Sequence, residues 1–309
     1  MITTVTLNPM VDKTVHVEAL TRGSIQRAAS MTMVAGGKGI NVSRQLRALG
    51  AETIASGFLG GVTGKMIRAL MDQEGIRHDF VETEMLTREG VTYLETDGTA
   101  TAVFEPAQKP PVDCVHALSK KINALAQESE WIVCSGSSPG GEADDVFYEA
   151  ILSAHKAACR SVLDSYGAAL TLAVKGLPTL LKTNKAEFEQ SHRLVLRNEN
   201  DIRRELGKLI DIGVRYSILT DGPGPVYSAS KEGEWKITPP GVRPINPVGS
   251  GDAMVAGMLY GFTKAWDFER CLRFGVAAGA ANARVWQVAG SSYEEIIKDE
   301  MNVRVQKLA

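Results

Sequence analysis

Apolar and polar positions follow two rhythms along the 309 residues. Residues 4–7 form a short β-prone run stopped by Asn8-Pro9. Residues 15–34 alternate polar and apolar around an Arg22-Gly23-Ser24 turn, which predicts short antiparallel strands. A second pair, 90–95 and 101–105, flanks Thr96-Asp97-Gly98-Thr99, whose Asp-Gly marks a hairpin turn. These runs predict a small sheet beside a main one. Between them lies a helix running from the 36–41 loop to Gly50, with Ile40, Leu46 and Leu49 on its apolar side and Arg44 and Arg47 on the wet one. A strand at 53–59 and a helix at 65–74 follow.

From about residue 112 the rhythm becomes βα. Strands are predicted at 131–134, 161–163, 180–182 and 216–219, and helices at 145–158, 168–175 and 200–212. A hairpin joins 226–229 to 234–237, and helices at 251–264 and 267–287 close the chain. The last is dense in Ala and Gly, which permits close backbone approach. The expected fold is α/β: a doubly wound, mostly parallel sheet with helices on both faces. With no repeat, low-complexity segment or linker, one domain over 1–309 is expected, with small-sheet strands inserted at about 15–34 and 90–105.

Five loops after predicted strands carry chemistry, and an open α/β sheet delivers such loops to one crevice. Asp12 follows the first strand stop. In Gly36-Gly37-Lys38-Gly39-Ile40-Asn41, the glycines admit a ligand to the backbone, Lys38 offers a point charge and Asn41 a donor–acceptor pair for hydroxyls. Ser137, in the 135–140 loop, can donate to a phosphate, although Ser-Ser-Pro-Gly is commonly a plain turn. Asn184-x-x-Glu187 can hold the water shell of Mg²⁺, and is more often a helix N-terminus with an acid in its first turn. Asp164, at a strand end, stays open between these two kinds of reading, and Thr220-Asp221-Gly222 makes a turn whose backbone can line a nucleotide site.

The fifth loop is the most telling. Gly249-Ser250-Gly251-Asp252 runs into an apolar helix, so unpaired N–H groups and a positive dipole end converge over the glycines. A carboxylate in such an anion hole reads as a base beside a transferring phosphoryl group, with an ordinary pKa of about 4. The bland reading is a Gly-rich turn capped by Asp252. Gly64-Lys65 imitates a P-loop, but Met66 stands where Ser or Thr is required.

Composition narrows the classes. Hydrophobic content of 44% and charged content of 23% suit an ordinary globular core. A net charge of −2 provides no footprint for nucleic acid or an acidic membrane surface. The start lacks a signal-peptide pattern and no apolar run reaches a membrane span. Cys114, Cys134, Cys159 and Cys271 form no C-x-x-C, and the five histidines have no ligand spacing. A soluble cytoplasmic protein with free thiols is expected. No G-x-G-x-x-G occurs, which argues against a nicotinamide dehydrogenase.

The segments from Ala35 to Arg44 and from Val248 to Met254 resemble the two signatures of the ribokinase-like (PfkB-type) carbohydrate kinases. Thr6-Leu7-Asn8-Pro9-x-x-Asp12 is similar to the branch containing 1-phosphofructokinase, minor-type 6-phosphofructokinase and tagatose-6-phosphate kinase. Gly136-Ser137-x-Pro139-x-Gly141, Asn184-x-x-Glu187 and the run from Arg273 to Gly279 extend the match in order over the whole chain. The resemblance implies ATP with Mg²⁺ as donor system, a small β-sheet lid that often pairs with a second subunit as a homodimer, and a sugar phosphate as acceptor. It implies Asp252 as base and Gly249, Ser250 and Gly251 as anion hole; Asp12, Gly37 and Asn41 on sugar hydroxyls; and Lys38, Arg88 and Ser137 on the substrate's phosphate.

Departures from the branch are Ile245-Asn246-Pro247 before the glycines, Lys182-Thr183-Asn184 for Lys-Pro-Asn, and Gly90 where Arg-x-Asn is usual. The alternatives are a kinase for an unphosphorylated sugar or nucleoside on the same fold, and a non-catalytic sugar-phosphate sensor.

Overall fold

The computed structural model describes residues 1–308. Its main sheet uses β1 (Ile2–Thr6), β4 (Thr53–Gly60), β5 (Val81–Thr83), β8 (Trp131–Ser135), β9 (Arg160–Asp164), β10 (Leu180–Asn184), β11 (Tyr216–Thr220), β12 (Val226–Ser230), β13 (Gly233–Thr238) and β14 (Arg304–Lys307). The order is β14-β13-β12-β11-β10-β9-β8-β1-β4-β5. From β5 through β11 neighbours are parallel, and the β12–β14 edge is antiparallel.

The strands bury both faces, so their side chains divide by parity. On β8, Ile132 and Cys134 enter one core while Trp131 and Val133 enter the other. The first core is covered by α3 (Val112–Glu128), α4 (Val146–Lys156), α5 (Gly167–Ala173), α6 (Lys185–His192) and α7 (Glu199–Asp211). The second lies under α1 (Lys38–Ala48), α8 (Ser250–Thr263), α9 (Phe268–Ala283) and α10 (Tyr293–Glu300). The Ala/Gly-rich face of α9 packs on α8 as its composition predicts: a Cβ at Gly257 would lie 3.1 Å from the Gly275 Cα.

A separate four-stranded sheet has the order β3-β2-β6-β7, formed by β2 (Met10–Val17), β3 (Ser30–Gly36), β6 (Arg88–Glu95) and β7 (Ala100–Phe104). It stands over α2 (Gly61–Gln73) on a third cluster including Val11, Ile40, Leu59 and Ile67. Residues 18–29, inside the stretch expected as strands, are irregular, and β2 starts earlier than expected, at Met10. Asp12 therefore lies within a strand, paired with Val34 and Gly90.

Other differences are local. The helix expected at 65–74 starts at Gly61, and α9 stops at Ala283, short of 287. Four elements have no counterpart in the sequence reading: β5, α3, α10 and β14. The three-residue β5 and four-residue β14 are too short for periodicity to register.

After β1 the chain builds β4 on one side and later β8 on the other, placing the switch in strand order at β1. Ligand crevices of open α/β sheets form at such points. Thr6 ends β1 here, and the start of α1 presses on it: a Cβ at Gly39 would fall on the Thr6 hydroxyl and 3.0 Å from the Val5 carbonyl oxygen. Gly39→Ala should destabilise the protein by about 1–3 kcal/mol, the usual cost of overpacking. Urea denaturation checks this, and an unchanged midpoint would mean that α1 approaches β1 less closely than described.

Candidate active site

The loop at 245–252 is shaped by a tertiary anchor. Asn282 of α9 donates from Nδ2 to the Val248 carbonyl at 2.9 Å and to Ser250 Oγ at 3.0 Å, and its Oδ1 accepts from the Ala289 N–H at 2.6 Å. Asn246 donates to the Trp286 carbonyl and accepts from the Val248 N–H, both at 3.0 Å. Gly249 sits at φ 79°, the left-handed region, as the N-cap of α8 with no side-chain cap. The Ser250 N–H donates to the Pro247 carbonyl at 3.2 Å, and the next N–H groups of the first turn of α8 are left to face the crevice.

Beneath this turn is a buried charge cluster. Lys182 of β10 is 3% exposed, and its ammonium occupies the position that a Cβ on Gly251 would take. Its Nζ lies 3.1 Å from Asp164 Oδ2, while Lys38 Nζ lies 3.2 Å from Asp164 Oδ1 and 2.7 Å from Glu187 Oε1. Burial would raise the Asp164 carboxyl, but the Lys182 and Lys38 ammonium groups hold it below the usual carboxylate range. Burial likewise works to lower Lys38, and the charges of Asp164, Glu187 and Asp252 outweigh it, leaving its pKa raised.

Asp252, 4% exposed in the first turn of α8, accepts from Asn41 Nδ2 at 2.8 Å. Burial and then the Asp164 charge push its carboxyl up to about 7, against the pull of Lys38, Lys182 and the Asn41 amide. The ordinary value of about 4 expected from sequence is therefore corrected upward. Sequence could show the glycines over Asp252 but not Asp164 behind it.

The remaining expected residues divide between two ends of the crevice. At one end, Arg88 Nη2 donates to the Asn8 carbonyl at 3.3 Å, and Asn8 Nδ2 donates to Ser137 Oγ at 3.2 Å. Arg88 Nε is buried without a partner. Burial lowers the Arg88 pKa, with Tyr166 opposing. Asp12 lies nearby on β2, its pKa raised by burial and opposed by Arg44; a Cβ at Gly36 would sit 2.9 Å from its own Cβ. Gly37, at φ 130°, caps α1. At Gly90 a Cβ would lie 2.7 Å from the Phe104 ring and 2.9 Å from Met10 Sδ, so an asparagine would need both to move.

At the other end β10 and β11 finish side by side, with Asn184 opposite Thr220. Asn184 Oδ1 accepts from the Glu187 N–H at 2.8 Å, and Glu187 Oε2 accepts from the Asn184 N–H at 3.3 Å. This is a capping box, so the bland reading of that motif holds locally. Glu187 Oε1 nevertheless turns to Lys38. Gly222 lies in an exposed turn just beyond Thr220.

One placement differs from expectation: Arg44, expected on the wet face of α1, is buried. Lys38, implied for the substrate phosphate with Arg88 and Ser137, pairs with Asp164 and Glu187, and its Nζ lies 5.5 Å from the ring centroid of Tyr166, which also acts on Arg88. Lys182, Asn282 and Tyr166 were not singled out from sequence. A lysine inside the apolar run Leu180-Leu181-Lys182 was the one available clue, because a strand buried on both faces has no wet side for it. Among the described residues no three or more His, Cys, Asp or Glu gather as a metal site.

The crevice combines an N–H-lined turn, two cations and a carboxylate able to take a proton near neutrality. That is equipment for moving an anionic group onto a hydroxyl. The comparisons agree. The model of the family described as "pfkB family carbohydrate kinase" matches residues 5–293. A 1-phosphofructokinase of Bacillus subtilis is 31% identical over 305 residues, covering 98% of this chain and 99% of the relative. A tagatose-6-phosphate kinase of Staphylococcus epidermidis is 29% identical over 304 residues, covering 96% and 98%. The structure of the tetrameric inhibited form of phosphofructokinase-2 from Escherichia coli superposes with a TM-score of 0.89 at 27% identity, covering 97% of this chain and 98% of that one. The chain belongs to the pfkB family of carbohydrate kinases and is an ATP-dependent sugar kinase.

The charge cluster has opposite consequences for its two acids. Asp164→Asn leaves two mostly buried cations short of a counter-charge and should cost about 3–5 kcal/mol. Asp252 behaves the other way. With its pKa raised on folding, the native state loses stability as pH rises from about 4 to about 7. Asp252→Asn should therefore melt higher than the unmodified protein at about pH 8, with a smaller gain at about pH 5. Thermal melts of both variants at both pH values check this; a lower melting temperature for Asp252→Asn at about pH 8 would contradict the burial argument.

Proposed function

We propose that the chain phosphorylates a hexose monophosphate (fructose 1-phosphate, fructose 6-phosphate or tagatose 6-phosphate) to the bisphosphate, with ATP as donor. The observation carrying this reading is Arg88: a half-buried guanidinium whose buried Nε has no partner, and whose Nη2 donates to a main-chain carbonyl, calls for an anion. Ser137, tied to the same Asn8, supplies a neighbouring hydroxyl. The relatives' names, 1-phosphofructokinase and tagatose-6-phosphate kinase, support a phosphorylated sugar.

In this reading Asp12, Gly37 and Asn41 hold the sugar hydroxyls. Asp252 takes the proton of the attacking hydroxyl, and a base near 7 suits that task at neutral pH. The N–H groups of Gly249 and Gly251 and the adjacent Lys182 receive the charge that develops on the transferred phosphoryl group. Lys38 joins Arg88 and Ser137 in reaching the phosphate already on the substrate, a role supported by its position near Tyr166 and Gly136. Thr220 and Gly222 line the nucleotide's side. The Glu187 carboxylate, whose Oε1 accepts from Lys38 and whose Oε2 accepts from the Asn184 N–H, would hold Mg²⁺ through water. Mg²⁺, when bound, neutralises phosphate charge.

The second sheet is the lid, closing over the sugar and excluding water. Met31, Met33, Val103 and Phe104 are exposed on it, and a second copy of the chain would cover them as a homodimer. Four free cysteines, three of them buried, fit a reducing cytoplasm. No helix is long and apolar enough to cross a membrane.

An ADP-release assay should show higher kcat/KM for one of the three sugar phosphates than for fructose, ribose or adenosine. A preference for any of the last three would replace this reading with a kinase for unphosphorylated substrates. No turnover of any of the six would favour a sensor. Arg88→Ala should raise KM for the sugar phosphate about tenfold or more while leaving that for ATP little changed.

Asp252→Asn should cut kcat by roughly 10²–10⁴. Because the base must be ionised, kcat should fall as pH drops through about 7. A variant retaining a tenth of kcat would remove Asp252 from that role. Hydrogen exchange should show sugar-dependent protection of the second sheet; protection unchanged by sugar would fit a standing interface instead of a closing lid.

A further inference from the structure

Arg44 gathers three acceptors around one guanidinium. Its Nε and Nη2 engage the Glu74 carboxylate just past the end of α2, the Nη2–Oε1 distance being 3.0 Å. Nη2 also donates to the Ala35 carbonyl at 2.6 Å, and Nη1 donates to Asn41 Oδ1 at 2.7 Å. The last contact settles which way the Asn41 amide points. An amide has one oxygen; with Oδ1 held by a cation, the NH₂ end is left to face Asp252, and Nδ2 lies 2.8 Å from its Oδ2. The reversed amide would set NH₂ against a guanidinium and oxygen against a carboxylate, losing both bonds.

We infer that Arg44 is a positioning residue for phosphoryl transfer: it locks the Asn41 amide so that Asp252 always receives a donor, which keeps that carboxylate oriented toward the crevice and able to ionise. The inference rests on the reading of Asp252 as base. Arginine suits the task because its planar fork reaches Glu74, Ala35 and Asn41 together, whereas a single ammonium on a flexible stem cannot span all three. Glu74, 28% exposed, ties the outer end of the relay.

Several charges bear on the two acids concerned. Asp252 is faced by Lys38 from α1, Lys182 from β10 and Asp164 from the end of β9. Asp12, on β2, feels the Arg44 charge directly. A lysine at 44 preserves that charge and removes the fork, so effects on Asp12 and on Asp252 can be separated.

The experiment is a carboxyl-carbon NMR titration of protein carrying ¹³C-labelled aspartate, compared between the unmodified chain, Arg44→Lys and Glu74→Gln. Asp252→Asn identifies the resonance. In Arg44→Lys, Asp252 should titrate about one unit of pH higher, because the ionised form has lost its fixed donor. The acid limb of the kcat profile should move with it. At neutral pH kcat should drop about tenfold, with KM for the sugar within about twofold because the charge beside Asp12 remains. Glu74→Gln, isosteric and at the relay's partly exposed end, should show a smaller shift of the same sign, and it carries the test if Arg44→Lys does not fold. An unmoved Asp252 titration in the folded variants overturns the inference, even if kcat falls, since Arg44 would then be merely structural. The titration needs no substrate. If the unmodified protein turned over no sugar, the kinase reading would fail on its own while the relay was still decided by NMR.

Discussion

A buried carboxylate between two ammonium groups, one buried and one partly exposed, is the constraint on which this crevice depends. Asp164 is fully buried and contacts both Lys38 and Lys182, which come from the start of α1 and the middle of β10. Desolvating three charges is costly unless each has a partner, so the arrangement persists only where all three elements are held in register. The parallel pairing of β8, β9 and β10 provides that register, and the packing of Gly39 on Thr6 brings α1 to it. A site where Lys38 and Lys182 stand among Asp164, Glu187 and Asp252 then results from the fold.

Asp252 completes the balance. It adds a second negative charge close to Asp164, and burial with that repulsion holds its proton until near neutrality. The cations, the Asn41 donor and the α8 N-terminus work in the other direction. The carboxyl is thus poised by opposing influences rather than by any one neighbour. It is also destabilising at neutral pH, the kind of local cost that functional sites carry and the rest of the core offsets. The Asn282 and Asn246 hydrogen bonds hold the neighbouring turn without using the Gly249 and Gly251 N–H groups.

The two ends of the crevice differ in how they are built. At the Arg88 end the groups come from the β1 and β8 loops and the second sheet, and one buried guanidinium nitrogen lacks a partner. At the Glu187 end the polar groups largely satisfy one another through the capping box. A preformed cap needs no ligand to be stable, whereas an orphaned donor is costly until one arrives.

Periodicity alone determined most of the element order, because strands buried on both faces and amphipathic helices leave strong local patterns. It also marked the turn at 249–252 and Asn41, since glycines before a buried helix and a polar group at a helix start are local features. Where the pattern was weak or the partner distant, sequence fell short. Residues 18–29 alternate like strands yet form no ladder, since alternation reports a compatible pattern and not a partner edge. Arg44 has a charged residue's sequence identity on a helix face, and only Glu74, Ala35 and Asn41 closing around it turn that face inward. Lys38 gained Asp164 and Glu187 as partners, and Asp252 went from an ordinary acid to one pushed up to about 7, through neighbours distant in the chain. Charge effects depend on distance in space and on loss of water, and neither quantity exists until the sheet has brought its strand ends together.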